Sequence, residues 1–349
     1  MRILVFTILI LFHLKNLHAQ EVFCLKNNFQ DEFLPESSIK IFVDSSRQLN
    51  YTSILAIHEK KAWLKPKEVN FKKYNYWLQV SICNHTSDSK WLIELLNFDI
   101  DQVLFYDITR DSFIETGATK KFSTRSIQHK NFAFDLAINP GETKTYLIKV
   151  YSKESFHPIL KIRTYPYFIS YATKEYIMLG IYYGLFLFII CYNFFIFLSI
   201  KDISYIYYLV YILAIGLNSL QWDGLGFQYI WPDIPSINLL LTYSSPILLI
   251  SFCAYAIHFL ELRKKNRVFY FLTFIFVTLY LLLFIINKYF PISYFHFYYL
   301  IPYLFLCGVS MNIYIRGEHS IRFFVLGNII IVLSQFAHYL VLNGIHVEK

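Results

Sequence analysis

Six long apolar runs follow one another in the second half of this 349-residue chain, at 176–199, 204–221, 236–261, 268–287, 293–315 and 320–342. Each holds about 18–26 residues, and about 20 helical residues cross the roughly 30 Å of a bilayer's hydrocarbon core. A bundle of soluble helices would show a charged face on each helix, and these runs carry almost no charge. The expectation is six membrane-spanning helices. The composition agrees: 56% of the residues are hydrophobic and 16% are charged, against about 25% charged in a typical soluble domain.

The first half has a different period. Apolar and polar residues alternate in "YWLQVSIC" (Tyr76–Cys83), in "NFAFDLAI" (Asn131–Ile138) and in "KTYLIKVYS" (Lys144–Ser152). Further strands are expected over Trp91–Leu96, Asp101–Tyr106 and Pro158–Pro166, and Asn139, Pro140 and Gly141 supply a turn. Short strands spaced this way, with no helical period between them, predict an antiparallel sandwich over 20–170. Ahead of it, Arg2 and the apolar stretch Ile3–Phe12 form an export signal with a cut after Ala19, which assigns residues 1–19 to a signal peptide.

Charge placement gives an independent expectation of orientation. If the sandwich is exported, the connectors between helices alternate inside and outside. The inside connectors then carry Lys201, the run Arg263, Lys264, Lys265 and Arg267, and Arg316 and Arg322, while the outside connectors carry Lys288 as their one basic residue. This is the positive-inside pattern. It predicts a multi-pass membrane protein whose N-terminal domain lies outside the cytoplasm, in agreement with the export signal. The net charge of +8 is thereby assigned to topology. Nucleic acid is excluded as a partner, because no basic stripe alternates with exposed aromatics. Cys24 and Cys83 lie in the polar half, where an oxidising compartment permits a disulfide. Cys191, Cys253 and Cys307 fall in apolar runs and read as small hydrophobes.

The outside connector "LQWDGLGFQYIWP" (Leu220–Pro232) is unusually mixed. Trp222, Phe227, Tyr229 and Trp231 suit the membrane–water interface, Gly224 and Gly226 permit tight turns, and Pro232 and Pro235 stop a helix before Ser236 caps the next one. Two readings stay open: an aromatic anchor with a turn, or a docking surface for the exported sandwich with Asp223 as its polar contact.

From Tyr183 to Pro232 the chain resembles the bacterial seven-transmembrane receptors with diverse intracellular signalling modules. The residues that carry the resemblance are Tyr183-Gly184, the block "YNFFIFLSIKDISYIYY" with Tyr192, Asn193, Asp202, Ser204 and Tyr205, and "DGLGFQYIWP". The upstream strands "YWLQVSICN", "LNFDIDQVLFYD", "RSIQHKNFAFDL" and "NPGETKTYLIKVYS" are similar to that family's extracellular module. The resemblance implies a periplasmic all-β, jelly-roll-like sandwich akin to carbohydrate-binding modules, followed by an all-α transmembrane bundle. It also implies a seventh helix and a cytoplasmic output module. The sequence stops at Lys349 with six helices of the expected seven, so it reads as truncated relative to that pattern, with output left to a cytoplasmic signalling module or partner.

Catalytic motifs are absent: no GxSxG, HExxH, P-loop or GxGxxG pattern occurs. The expectation is therefore a non-enzyme with no cofactor and no metal site. Asn193, Asn218, Asn312, Asn328 and Gln335 suit interhelical hydrogen bonds. His258, His296 and His338 lie in or near the helices as ionisable groups. In the sandwich, Tyr76, Trp77 and Trp91 are the aromatic candidates for stacking on a ligand, together with Trp63 and Tyr74. On the strand containing Trp77, that ring shares a face with Gln79 and Ser81, opposite Leu78, Val80 and Ile82. Arg125, His129 and Asn131 are the candidate polar contacts. The interface candidates are Trp222, Asp223, Gly224, Gly226 and Trp231. The combined expectation is a receptor whose sandwich binds a small molecule, with a carbohydrate as one candidate, and whose helices meet membrane lipid. The alternatives are a transporter or channel, and an envelope assembly or adhesion protein.

Overall fold

The computed structural model describes residues 22–57, 63–64, 66, 74–153, 158–241, 244–289 and 295–342. The predicted export signal lies outside them. The chain divides into two compact units: residues up to Gly180 together with Leu220–Leu239, and Ile181–Ser219 together with the residues from Leu240 onward.

Among the described residues, the first unit has ten strands: β1 (Phe23–Leu25), β2 (Asp31–Phe33), β3 (Ile39–Asp44), β4 (Asn75–Asn84), β5 (Lys90–Leu95), β6 (Gln102–Asp107), β7 (Ser112–Thr116), β8 (Phe132–Ala137), β9 (Thr143–Tyr151) and β10 (Leu160–Arg163). They form two sheets. One, sheet A, runs β1-β4-β9-β6-β7 with β3 also on β4; the other, sheet B, runs β2-β10-β5-β8. Their inner faces share one apolar core that includes Tyr76, Leu78, Val80 and Ile82 of β4, Phe105 of β6, Ile148 of β9, Trp91 and Ile93 of β5, Phe134 of β8 and Ile162 of β10. The alternation in β4 thus places its aliphatic residues inward, as the sequence predicts. One pair departs from the antiparallel expectation, since β1 runs parallel to β4. That pairing sets Cys24 opposite Cys83, with Cα atoms 4.5 Å apart, and the two form a disulfide. The engaged sulfurs leave no thiolate for a metal beside His85.

Each sheet's outer face is also covered, by different chemistry. Over sheet A lies helix α1 (Tyr51–Ile57), whose start is capped by Asn50 Oδ1 accepting the Ser53 N–H at 2.9 Å. Ile54 packs there with Phe42, Trp77, Tyr106 and Leu147. Tyr51 stacks on Tyr106 with ring centroids 4.0 Å apart, and both hydroxyls donate to Asp111. Over sheet B lie the first turns of α2 (Tyr165–Ile200), where Phe168 packs on Leu92 and Ala133. This helix starts eleven residues before the apolar run at 176–199, with Pro166 in its first turn, where no N–H donor is needed.

The second unit contains the rest of α2, most of α3 (Ser204–Trp222), α5 (Ser244–Phe259), α6 (Leu262–Lys265), α7 (Arg267–Tyr289), α8 (Phe295–Ile315) and α9 (Arg322–Leu342), while most of the short α4 (Ser236–Leu241) belongs to the first unit. Four described helices are long and apolar enough to cross a membrane: Tyr165–Ile200, Arg267–Asn287, Tyr298–Ile315 and His319–Ala337. The 16-residue α5 is apolar but shorter, and α3 is diluted by tyrosines and by Asn218 and Gln221. Of the polar residues expected to bond between helices, Asn218 donates to Ser244 Oγ at 2.7 Å and Asn328 to Ser310 Oγ at 3.4 Å. Asn193 instead donates to the Ile189 carbonyl of its own helix. Cys253 is buried, whereas Cys191 lies on an exposed helix face.

Candidate functional site

The outer face of sheet B carries charges on its strands, and Glu94 and Arg163 among them are buried. Glu94 of β5 is 0% exposed and Arg163 of β10 is 3% exposed. Arg163 Nε lies 2.9 Å from Glu94 Oε2 and 3.3 Å from Asp31 Oδ1 of β2. Glu94 Oε1 accepts from Asn131 Nδ2 at 2.8 Å. Burial pushes the Glu94 carboxyl above its usual range, against the pull of Asn131 and Arg163. Buried ions like these survive only when partners satisfy them.

His129 extends this cluster toward α2. Its Nδ1 accepts the backbone N–H of Asn131 at 3.2 Å, so the neutral ring carries its proton on Nε2. Nε2 lies 3.8 Å from Glu175 Oε2 on α2. Burial pushes the imidazole down to about 4, so the ring is neutral at physiological pH. Lys130 Nζ meets Glu175 Oε1 at 2.7 Å, and the Arg163 guanidinium lies 4.0 Å from the centre of the Tyr171 ring. Glu175 and Tyr171 therefore hold the start of α2 onto the sheet through charge.

The segment Leu220–Leu239 belongs to the same unit and packs beside this cluster. Tyr176 of α2 donates its hydroxyl to Gln228 Oε1 at 2.8 Å and accepts the Lys130 N–H at 3.3 Å. Gln228 Nε2 in turn donates to the Gln128 carbonyl at 3.1 Å. One loop of the sandwich (128–130), one helix and one connector thus close a single hydrogen-bonded node. Around it, the Phe122 N–H donates to the Pro232 carbonyl at 2.9 Å, Phe122 meets Phe227 edge-on at 5.4 Å, and Asn238 donates to the Ala118 carbonyl.

The glycines of this connector do different work. Gly224 has a φ of +73° and sits against Lys130 and Phe98, so it serves both turn and close approach. Gly226 lies in the short π-helical turn Gly226–Ile230 and has no positive φ. It is required because the Trp231 indole lies directly on it, in the space that a Cβ would fill. That corrects the expectation that both glycines serve turns. Trp231 is buried and donates to Asn238 Oδ1 at 2.7 Å, and Phe227 is also buried, while Trp222 and Tyr229 are exposed. Asp223 is half-buried. Ser236 is the first residue of α4 and not its cap. The docking reading of the connector therefore describes Phe227 and Trp231, and does not extend to the exposed Trp222 and Tyr229.

Arg125, His129 and Asn131 do come together, but beneath α2 and the connector, where all three are buried. The Arg125 guanidinium donates to the carbonyls of His129, Lys130 and Phe98 and lies over Phe132, Phe122 and Phe227. Burial lowers its pKa to about 9, which still leaves it charged. Tyr76, Trp77 and Trp91 are fully buried, so none offers a ring face to a sugar. Tyr76 and Trp91 fill the core between the sheets, and α1 covers Trp77. Glu94, Arg163, Glu175, Tyr176 and Gln228 were not among the sequence candidates. The available signal was a charge next to apolar strand residues, as in "WLIELL" and "ILKIRT".

A folded sandwich continuous with helices able to cross a bilayer defines a membrane protein with a folded domain outside the hydrocarbon core. Two family models match in tandem, 7TMR-DISM extracellular 2 over residues 36–164 and 7TM diverse intracellular signalling over residues 175–348. The chain belongs to this receptor family and is a membrane protein with an extracellular domain. No curated protein matches it.

Proposed function

We propose that the protein is a multi-pass inner-membrane receptor whose sandwich binds a small polar ligand. The bound state is passed to the helices through α2 and the Leu220–Leu239 connector. The observation that carries this reading is the node of Gln128, Lys130, Tyr176 and Gln228, where both segments leaving the sandwich unit meet one sandwich loop. A ligand that favours one arrangement of this node shifts the population of helix arrangements by its difference in affinity. The chain itself carries no catalysis in this reading, and a cytoplasmic signalling partner supplies the output. A carbohydrate is one candidate ligand, recognised through polar groups, since the aromatic rings nearest to hand are buried.

The test is a thermal-shift screen of mono- and disaccharides and other small polar metabolites against the full chain in nanodiscs. Hydrogen exchange with any stabilising compound then follows. A hit should change exchange over 170–180 and 224–234. A hit that leaves both segments unchanged contradicts transmission through the node, and a silent screen with crosslinking to an envelope protein supports the assembly alternative.

A further inference from the structure

The connectors expected to face the cytoplasm gather at one end of the helical unit. Lys265 Nζ lies 2.8 Å from Glu318 Oε1 and 3.6 Å from Glu261 Oε2, which ties the 261–266 connector to the 316–321 connector. Asp202, in the first connector, is within electrostatic reach of His258 near the end of α5. The carboxylates here are already engaged: Asp202 accepts the Ser204 N–H at 2.9 Å, and Lys265 takes Glu261 and Glu318. Lys201, Arg263, Lys264, Arg267, Arg316 and Arg322 remain exposed, with no ion pair among the described residues.

One of these cations sits where a helix disfavours it: Arg267 opens the 23-residue α7, and the macrodipole at a helix start is positive. Arg322 lies one turn inside its helix, after the turn His319–Ile321. An anion at this end would offset the side-chain charges and the start of α7 together. Directly beside the cations, Val268, Ile315 and Phe323 are exposed at 65%, 76% and 71%. A free phosphate would use the cations alone, whereas a phospholipid would cover both the charge and the neighbouring apolar surface. We infer that this end of the helical unit binds the headgroup of an anionic phospholipid, with its acyl chains against Val268, Ile315 and Phe323.

The test reconstitutes the full chain in nanodiscs of phosphatidylcholine with a minority of phosphatidylglycerol. Native mass spectrometry then counts the lipids that stay bound as the disc is stripped. Phosphatidylglycerol should be retained over phosphatidylcholine by about fivefold for each cation that a headgroup engages. The preference should shrink as salt is raised, vanish in R267Q/R316Q/R322Q and persist in R267K/R316K/R322K. Equal retention of the two lipids by the unaltered chain overturns the inference, and that comparison stands even if the glutamine variant does not insert. In a second arm, inorganic phosphate is added to discs of phosphatidylcholine alone. No change in melting midpoint is expected, and a rise matching that given by phosphatidylglycerol would assign the site to free phosphate instead.

Discussion

The sandwich is covered on both outer faces, and the two covers differ in chemistry. Over sheet A, α1 presents Ile54 to an apolar surface of Phe42, Trp77, Tyr106 and Leu147. Over sheet B, α2 adds to the apolar contact of Phe168 the side chains Glu175 and Tyr171, which meet buried Glu94, His129 and Arg163 and half-buried Lys130. Apolar burial is non-directional and adds stability in proportion to area. A buried ion pair contributes little net stability against an apolar pair of similar volume, but it demands a particular geometry. On the proposed reading, the first cover is the fixed fastening and the second is the contact whose arrangement a ligand shifts; the second lies on the side from which the chain leaves for the membrane.

Substitutions sharpen that contrast. Trp77→Ala should cost about 3–5 kcal/mol of sandwich stability through the cavity that it leaves, with no second substitution that restores it. Glu94→Leu should cost about 1.5–3 kcal/mol, because Arg163 loses its nearer carboxylate but keeps Asp31 at 3.3 Å, and Glu94→Leu with Arg163→Met should recover most of that loss. Denaturant midpoints of the three variants check both statements. A double variant as weak as the single one would mean that the ionic cover is as structurally fixed as the apolar one.

An acid titration gives the next largest effect. The folded value for His129 is held at about 4 by burial, below the usual value of about 6.5. Its contribution is therefore fully present above about pH 6.5 and is lost as pH falls toward 4, by up to about 3 kcal/mol. Glu94, whose pKa is raised, opposes this, because its protonation favours the folded state as pH falls. His129→Gln should therefore flatten the acid loss measured by melting midpoints between pH 7 and pH 4.5. An unchanged slope would show that His129 does not govern it.

Much of this arrangement was legible in the residues. The alternation in Tyr76–Cys83 correctly separated the inward aliphatics from the face of Trp77. It could not show that Ile54, more than twenty residues earlier in the chain, would cover that face, because burial by a distant segment leaves no local period. Arg125, His129 and Asn131 stood out as polar candidates, and they do cluster. What covers them is the start of α2, whose Tyr, Ser, Lys and Glu residues carry no membrane-spanning signal. The short strands β1, β2 and β7 escaped because three to five residues give too few alternations to read, while β3 was missed although it is as long as β5 and β6. The glycines in "DGLGF" signalled a special backbone, but only the position of Trp231 distinguishes a turn from a close approach.

The smallest expected effect bears most directly on the account. Tyr176→Phe removes one hydroxyl that bonds both Gln228 and the Lys130 backbone, and Gln228→Ala removes the bridge to Gln128. Each should cost about 1 kcal/mol. Because α2 and the connector are held to be one coupled contact, the double variant should lose less than the sum of the single losses, with an interaction energy of about 0.5–1.5 kcal/mol in a double-mutant cycle on the full chain. Additive losses would mean that the two segments touch the sandwich independently, and the shared node would not be the route by which the sandwich reaches the helices.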